Sequence, residues 1–200
     1  MGIVSLILAY LLGSISTSYL VGKVARGVDI RDFGSGNAGA TNTLRVLGWQ
    51  MAVIVLAGDI LKGVLAIAFA SMVTGGDSHT TSRVYMALAG LLAIIGHNWP
   101  VFFQFRGGKG VATTIGVLAV LSFMPALYAG LLAIAIILVT RYVSLGSLVF
   151  VTFTFLFQLF MHTPAVYIWI TLIIGIFVYW RHRENIDRLM HGKESRIFSR

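Results

Sequence analysis

Seven continuous apolar stretches alternate with short polar segments along the chain. They cover residues 3–21, 51–73, 85–105, 111–123, 126–140, 145–161 and 165–180. Several are close to the ~20 apolar residues that a helix needs to cross a bilayer. We therefore predict an all-α integral membrane protein with a single polytopic domain over residues 1–200. The first stretch is interpreted as a retained span, because no basic segment precedes it as in a cleaved signal peptide.

The fourth and fifth stretches form either two short helices or one long helix. Pro125 favours two, because proline removes a helical hydrogen bond and disfavours helix at the residue before it. With seven spans and the amino terminus outside, every Lys and Arg except Arg83 and Lys62 falls on the inner side. Six spans would divide these cations between the two sides, so the positive-inside rule selects seven, with a cytoplasmic carboxyl terminus. Each short span covers only roughly 20 Å, less than the ~30 Å hydrocarbon core of a bilayer. We therefore predict that the connection between the two lies within the membrane or that the bilayer is thinner there.

Composition supports this class and excludes others. Hydrophobic residues make up 58% of the chain and charged residues 11%, whereas soluble domains carry about 25% charged residues. The net charge of +8 is explained by membrane orientation and does not indicate nucleic-acid binding. Because the chain has no cysteine, disulfides, thiolate metal sites and a cysteine nucleophile are excluded.

Two glycine-rich polar segments, residues 34–42 and 107–110, lie at the ends of apolar stretches. Such segments expose backbone N–H groups, and a helix after the first would add its positive end, so both favour an anion such as phosphate. Arg45 and Lys109 supply cations beside them. The second segment is not a nucleotide-binding Walker A loop, since Phe103 stands where that pattern needs glycine and Gly110 follows the lysine.

An acidic and a basic residue, Asp59 and Lys62, lie inside the second apolar stretch. Their i, i+3 spacing places both on the same side of a helix, where each can neutralise the other. A structural pair and a role at the substrate explain this spacing equally well.

Of the five histidines, His97 and His182 are the candidates for a site, because both fall at the inner ends of spans. His182 and Asp187 match the His-x4-Asp pattern of another class of acyltransferase. Positions five apart on a helix point about 140° away from each other, so the two are not expected to act as a dyad.

The polar segments resemble the three motifs of the PlsY family of bacterial membrane glycerol-3-phosphate acyltransferases. Residues 34–42 resemble the first motif, 96–113 the second and 181–194 the third. The resemblance implies seven transmembrane helices in the bacterial inner membrane, with the active site at the cytoplasmic face. It also implies acyl transfer from an acyl phosphate to the 1-hydroxyl of glycerol 3-phosphate, which yields lysophosphatidic acid and phosphate.

By motif, the resemblance implies catalytic roles for Ser35, Lys109, His182 and Asn185. It implies substrate-binding roles for Gly36, Asn37, Arg45, His97, Gly107, Gly108, Ser144 and Ser147, with the choice between the two last serines left open. It implies no metal or other cofactor, and partners limited to the two substrates and membrane lipid, without nucleic acid or an obligatory protein partner. A small anion transporter is the alternative, but the chain shows neither internal repeats nor cations on both faces.

Overall fold

The computed structural model describes residues 2–76 and 79–197, and within them it is all-helical. The helices are α1 (Gly2–Gly13), α2 (Thr17–Arg26), α3 (Ala40–Leu47), α4 (Trp49–Thr74), α5 (Thr80–Asn98), α6 (Val111–Leu121), α7 (Phe123–Thr140), α8 (Val143–Phe160), α9 (Ala165–Arg181) and α10 (Arg183–Met190). Arg200, one of the cations used to predict orientation, lies outside the described residues.

The first predicted span is interrupted, because α1 ends at Gly13 and α2 begins at Thr17. At the break, Ser14 donates its hydroxyl to the Tyr10 carbonyl at 2.9 Å. The carbonyl of Ile15 leaves the helical pattern and accepts a hydrogen bond from Lys62 at 2.9 Å. A side chain from α4 thus satisfies a backbone group that the break exposes, as the interior of a membrane requires.

A second break separates α6 from α7 at Ser122, so the two-helix alternative for residues 111–140 is confirmed. Pro125 lies in the first turn of α7, where its missing N–H group costs the helix no hydrogen bond. Gln158 of α8 donates a hydrogen bond to the Ser122 hydroxyl at 2.7 Å and so contacts the residue at the break.

Five helical segments of the described residues are long and apolar enough to cross a membrane. They are Gly2–Arg26, Trp49–Thr74, Thr80–Phe103, Phe123–Thr140 and Val143–Phe160. Helix α9 becomes a sixth only when it is counted together with α10, at a bend of 61°, and α6 is a shorter apolar helix. The seven-span count and the orientation of the termini therefore remain predictions.

The chain divides into two compact units, Met1–Val120 and Leu121–Arg200. In the first unit, α4 and α6 approach at backbone distance. A Cβ on Gly63 would collide with the Thr113 carbonyl, and one on Gly116 would collide with the carbonyl of Ile60. Small residues are the usual means by which membrane helices pack this closely. In the second unit, α8 packs against both α7 and α9.

Apolar side chains face outward while many polar ones are buried, the reverse of a soluble protein. Val139 is 83% exposed and Met72 80%, whereas Thr154 and Gln158 are fully buried. This distribution suits a protein that is surrounded by lipid. The protein is an all-helical integral membrane protein.

Candidate active site

The first glycine-rich segment is held in shape by Asn42. Its Oδ1 accepts a hydrogen bond from the Ser35 N–H group at 2.8 Å, and its Nδ2 donates to the carbonyls of Ile30 and Phe33 at 3.0 and 3.1 Å. Gly34 has φ +60°, and a Cβ there would collide with Asn42. A buried amide therefore fixes the backbone around Ser35, while Ser35 itself stays exposed.

A helix follows this segment, as the sequence predicted: α3 begins at Ala40. This helix begins three residues after Asn37, and the first turn of a helix leaves backbone N–H groups without an intrahelical partner. Asn37 is half-buried, and its Nδ2 lies 3.3 Å from the Ser35 carbonyl. Arg45, in the last turn of α3, is exposed. Residues 34–45 thus combine amide donors and a cation within one short stretch.

The second glycine-rich segment packs against the end of α5. The Gly108 N–H group donates to the His97 carbonyl at 3.2 Å. A Cβ on Gly107 would collide with that carbonyl, and one on Gly108 would collide with the His97 ring and the Ala38 carbonyl. Glycine is therefore required at both positions by the closeness of the packing. Lys109 follows, half-buried, just before α6 begins at Val111.

A buried amide without a partner faces this second segment. Asn98 is 1% exposed, and neither its Oδ1 nor its Nδ2 has a hydrogen-bond partner among the described residues. A Cβ on Gly110 would lie 2.9 Å from that Oδ1. Buried amides are rarely left unpaired, so the arrangement suits a polar ligand. In the sequence, Asn98 is marked only by its place in the second motif, and no role for it follows from that motif.

Arg31 precedes the first glycine-rich segment and binds the region before the second. Its Nη1 donates to the carbonyls of Phe103 and Arg106 at 2.9 and 3.2 Å. Its Nη2 pairs with Asp29 Oδ2 at 2.6 Å. The hydrogen bond from the Arg31 side chain holds the pKa of Asp29 below its usual value. Within the first unit, one guanidinium thus joins the residues just before the first segment to those just before the second.

In the second unit, the carboxylate of Glu194 accepts hydrogen bonds from three side chains. Oε1 accepts from Asn185 Nδ2 at 2.6 Å and from Ser144 Oγ at 2.8 Å, and Oε2 accepts from Arg188 Nε at 2.8 Å. Burial opposes the charged form of Glu194, but the hydrogen bonds from these three residues outweigh it, and its pKa lies below the usual value. No local sequence pattern predicted this role of Glu194, although the residue closes the third motif.

His182 is 3% exposed, and its Nδ1 lies 2.8 Å from the Val178 carbonyl. Because a carbonyl only accepts, Nδ1 carries the proton and Nε2 is the basic nitrogen of the neutral ring. Asp187, by contrast, has a side chain 72% exposed that lies 3.3 Å from His191. The structure therefore gives Asp187 a surface partner just past the end of its own helix.

The two candidate serines of α8 differ in their partners. The Ser144 hydroxyl reaches Glu194, whereas Ser147 donates to the Val143 carbonyl of its own helix at 2.9 Å. Both are buried. Ser144 thus belongs to the Glu194 cluster together with Asn185.

The predicted site residues fall into two groups. The first unit holds Ser35, Gly36, Asn37, Arg45, His97, Gly107, Gly108 and Lys109; the second holds Ser144, Ser147, His182 and Asn185. Across residues 2–76 and 79–197, no group of three His, Asp or Glu side chains is placed to hold a metal ion.

The chain is similar in sequence and in structure to proteins of one known family. A sequence model of the family named glycerol-3-phosphate acyltransferase matches residues 3–192. The chain belongs to that family. A glycerol-3-phosphate acyltransferase of Halalkalibacterium halodurans is 54% identical over 94% of this chain and 92% of the relative. One from Bacillus subtilis is 43% identical over 96% of this chain and 95% of the relative.

The fold of this acyltransferase is similar to that of crystallised PlsY, an integral membrane glycerol 3-phosphate acyltransferase. The PlsY structure in its glycerol 3-phosphate form has a TM-score of 0.90 at 41% identity and covers 98% of this chain and 95% of that protein. The lysophosphatidic acid form of PlsY has a TM-score of 0.88 at the same identity and coverage. The resemblance to the PlsY family stated from the sequence is confirmed.

Proposed function

We propose that the protein transfers an acyl chain from an acyl phosphate to the 1-hydroxyl of glycerol 3-phosphate. The products are lysophosphatidic acid and inorganic phosphate. The observation that carries the proposal is the second glycine-rich segment, where Lys109 lies just before the start of α6 and the buried, unpaired amide of Asn98 faces Gly110. Such a combination suits a phosphate group. PlsY crystallised in a glycerol 3-phosphate form supports the choice of acceptor.

The reaction suits residues of this kind. An acyl phosphate is a mixed anhydride whose phosphate leaves readily, so the enzyme mainly has to hold two anions together, orient a hydroxyl and stabilise an oxyanion. In the transfer step the acceptor oxygen bonds to the acyl carbon, and the bond from that carbon to the phosphate oxygen breaks with its electron pair. The hydroxyl proton passes to His182 Nε2 or to a substrate phosphate.

The residues take roles that follow from their surroundings. Lys109 and Arg45 neutralise phosphate charge, and Gly36, Asn37, Gly107 and Gly108 let the backbone of the two segments come close to the substrate phosphates. The Ser35 hydroxyl hydrogen-bonds a substrate. Asn185, oriented by Glu194, and His182 bind or activate the acceptor, and Ser144 and Ser147 contribute to substrate binding. His97 supports the second segment.

We also propose seven transmembrane helices in the bacterial inner membrane, with the amino terminus outside and the site at the cytoplasmic face. The distribution of Lys and Arg supports this orientation. A reporter fused to the carboxyl terminus should be active in the cytoplasm. Activity of that reporter in the periplasm would contradict the orientation.

One assay tests the reaction directly. Purified protein is incubated with glycerol 3-phosphate and palmitoyl phosphate, and lysophosphatidic acid and phosphate are measured; palmitoyl-CoA serves as the alternative donor. We expect product with palmitoyl phosphate and none with palmitoyl-CoA. Product from palmitoyl-CoA alone would overturn the proposed donor while leaving the acceptor intact.

A further inference from the structure

A buried charged cluster lies beside the second glycine-rich segment without belonging to it. It consists of Asp59 and Lys62 of α4 and His97 of α5, which are 1%, 5% and 7% exposed. The Lys62 Nζ lies 2.9 Å from Asp59 Oδ1, which also accepts a hydrogen bond from the Thr17 hydroxyl at 3.0 Å. All four residues lie within the first compact unit.

The Lys62 ammonium uses its three hydrogens inside the protein. Its acceptors are Asp59 Oδ1 at 2.9 Å, the Ile15 carbonyl at 2.9 Å and His97 Nδ1 at 2.8 Å. An ammonium group has three donors, so this set occupies it fully. Lys62 is therefore placed to orient its neighbours rather than to bind a substrate anion itself.

These contacts determine the state of the His97 ring. An ammonium group only donates, so Nδ1 must be the acceptor, and the neutral ring carries its proton on Nε2. Asp59 Oδ1 lies 3.6 Å from Nδ1, too far to compete for it as a hydrogen-bond partner. The ring position of His97 is thus set by Lys62.

The other side of the ring supports the glycine-rich segment. A Cβ on Gly108 would collide with His97 Nε2, and the Gly108 N–H group donates to the His97 carbonyl. The ring therefore packs closely against the backbone of the segment that carries Lys109.

We propose that Lys62 is a positioning residue for glycerol 3-phosphate binding: it orients His97, and His97 holds the phosphate-binding segment in shape. The inference rests on the proposed function in one respect: the second glycine-rich segment binds the phosphate of glycerol 3-phosphate. It assigns the Asp59–Lys62 pair a role that its spacing in the sequence left open.

The test removes both buried charges together, so that no unpaired charge remains to unfold the protein. The Kd for glycerol 3-phosphate is measured by calorimetry on the purified Asp59→Asn/Lys62→Met variant, alongside its unfolding temperature. We expect a Kd raised at least tenfold in a protein that still unfolds cooperatively. A wild-type Kd in the folded variant would overturn the proposal.

Thr17→Val is the matched control, because it removes a hydrogen bond to the same Asp59 oxygen without touching Lys62 or His97. We expect a lower unfolding temperature and a Kd within about twofold of the wild type. If Thr17→Val raised the Kd as much as the double variant, the cluster would be merely structural and the proposal would fail.

A measurement on the unaltered protein covers the case in which the double variant does not fold. Nitrogen NMR of ¹⁵N-histidine protein, with the His97 signals assigned from a His97→Gln variant, should show a neutral ring protonated on Nε2. A proton on Nδ1 would contradict the proposed orientation. Because binding needs no acyl donor, these results are independent of whether palmitoyl phosphate is the donor.

Discussion

The Nδ2 amide of Asn185 donates a hydrogen bond to Oε1 of Glu194 at 2.6 Å. The same carboxylate also binds Ser144 and Arg188, so one acidic residue orders three side chains from two helices. The contact between Asn185 and Glu194 explains how a polar residue of α10 keeps a fixed position.

Replacing Glu194 with Gln should destabilise the protein. Hydrogen bonds to a charged group contribute about 1.5–3 kcal/mol each, and a glutamine would offer its amide to at least one neighbour that is itself a donor. Thermal unfolding in detergent should show a clearly lower transition temperature. Glu184→Gln is the control, since the Glu184 side chain is 74% exposed. Its ion pair with Arg183, at 3.7 Å, is solvent-exposed and contributes little to stability. Equal stability of both variants would contradict this function of Glu194.

The stability that Glu194 provides should depend on pH. Its pKa in the folded protein lies below the usual value, despite burial, because of the hydrogen bonds from Arg188, Asn185 and Ser144. Such a group stabilises the fold above its unfolded pKa of about 4.3, and the stabilisation is lost as pH falls through the folded pKa. The gap in unfolding temperature between wild type and Glu194→Gln should thus narrow from about pH 7 to pH 3. A difference in unfolding temperature that widens on acidification would contradict the lowered pKa of Glu194.

Sequence patterns predicted the helical membrane class, because the length needed to cross a bilayer leaves a direct hydropathy signal. Pro125 likewise indicated the break that the structure places at Ser122. The break after Gly13 was missed, since it depends on Lys62 of another helix reaching the Ile15 carbonyl. The cluster around Glu194 was also missed, because Ser144 lies 50 residues away and no local pattern joins the two.

Gly108→Ala should weaken acceptor binding, because the added Cβ would collide with His97 and with the Ala38 carbonyl. We expect the KM for glycerol 3-phosphate to rise at least tenfold. Gly175→Ala in α9 is the control, as a Cβ there has nothing within 4 Å and alanine favours a helix. Unchanged KM in Gly108→Ala would mean that the second segment tolerates the displacement and does not hold the phosphate.

Lys109→Ala and Arg45→Ala should each lower kcat/KM for glycerol 3-phosphate by at least about tenfold. A charge-assisted contact contributes about 1.5–3 kcal/mol, and a tenfold change corresponds to about 1.4 kcal/mol. Arg26→Ala removes an exposed cation at the end of α2 and serves as the control for a general loss of positive charge. Wild-type kinetics in the first two variants, at normal expression, would exclude Lys109 and Arg45 from the site.

Ser35 should act by hydrogen bonding and not as a covalent nucleophile. Its N–H group is fixed by Asn42, and its side chain is exposed. Its hydroxyl accepts a hydrogen bond at 3.5 Å from the side-chain amide of Asn37, which is not a base. The donor is already activated, so a covalent step would lower no barrier that direct attack cannot cross. We expect transfer through a ternary complex, and Ser35→Ala should retain a fold with normal stability but lose most turnover. Mass spectrometry after incubation with acyl phosphate alone decides the mechanism: an acyl adduct on Ser35 that glycerol 3-phosphate then discharges would show ping-pong transfer instead.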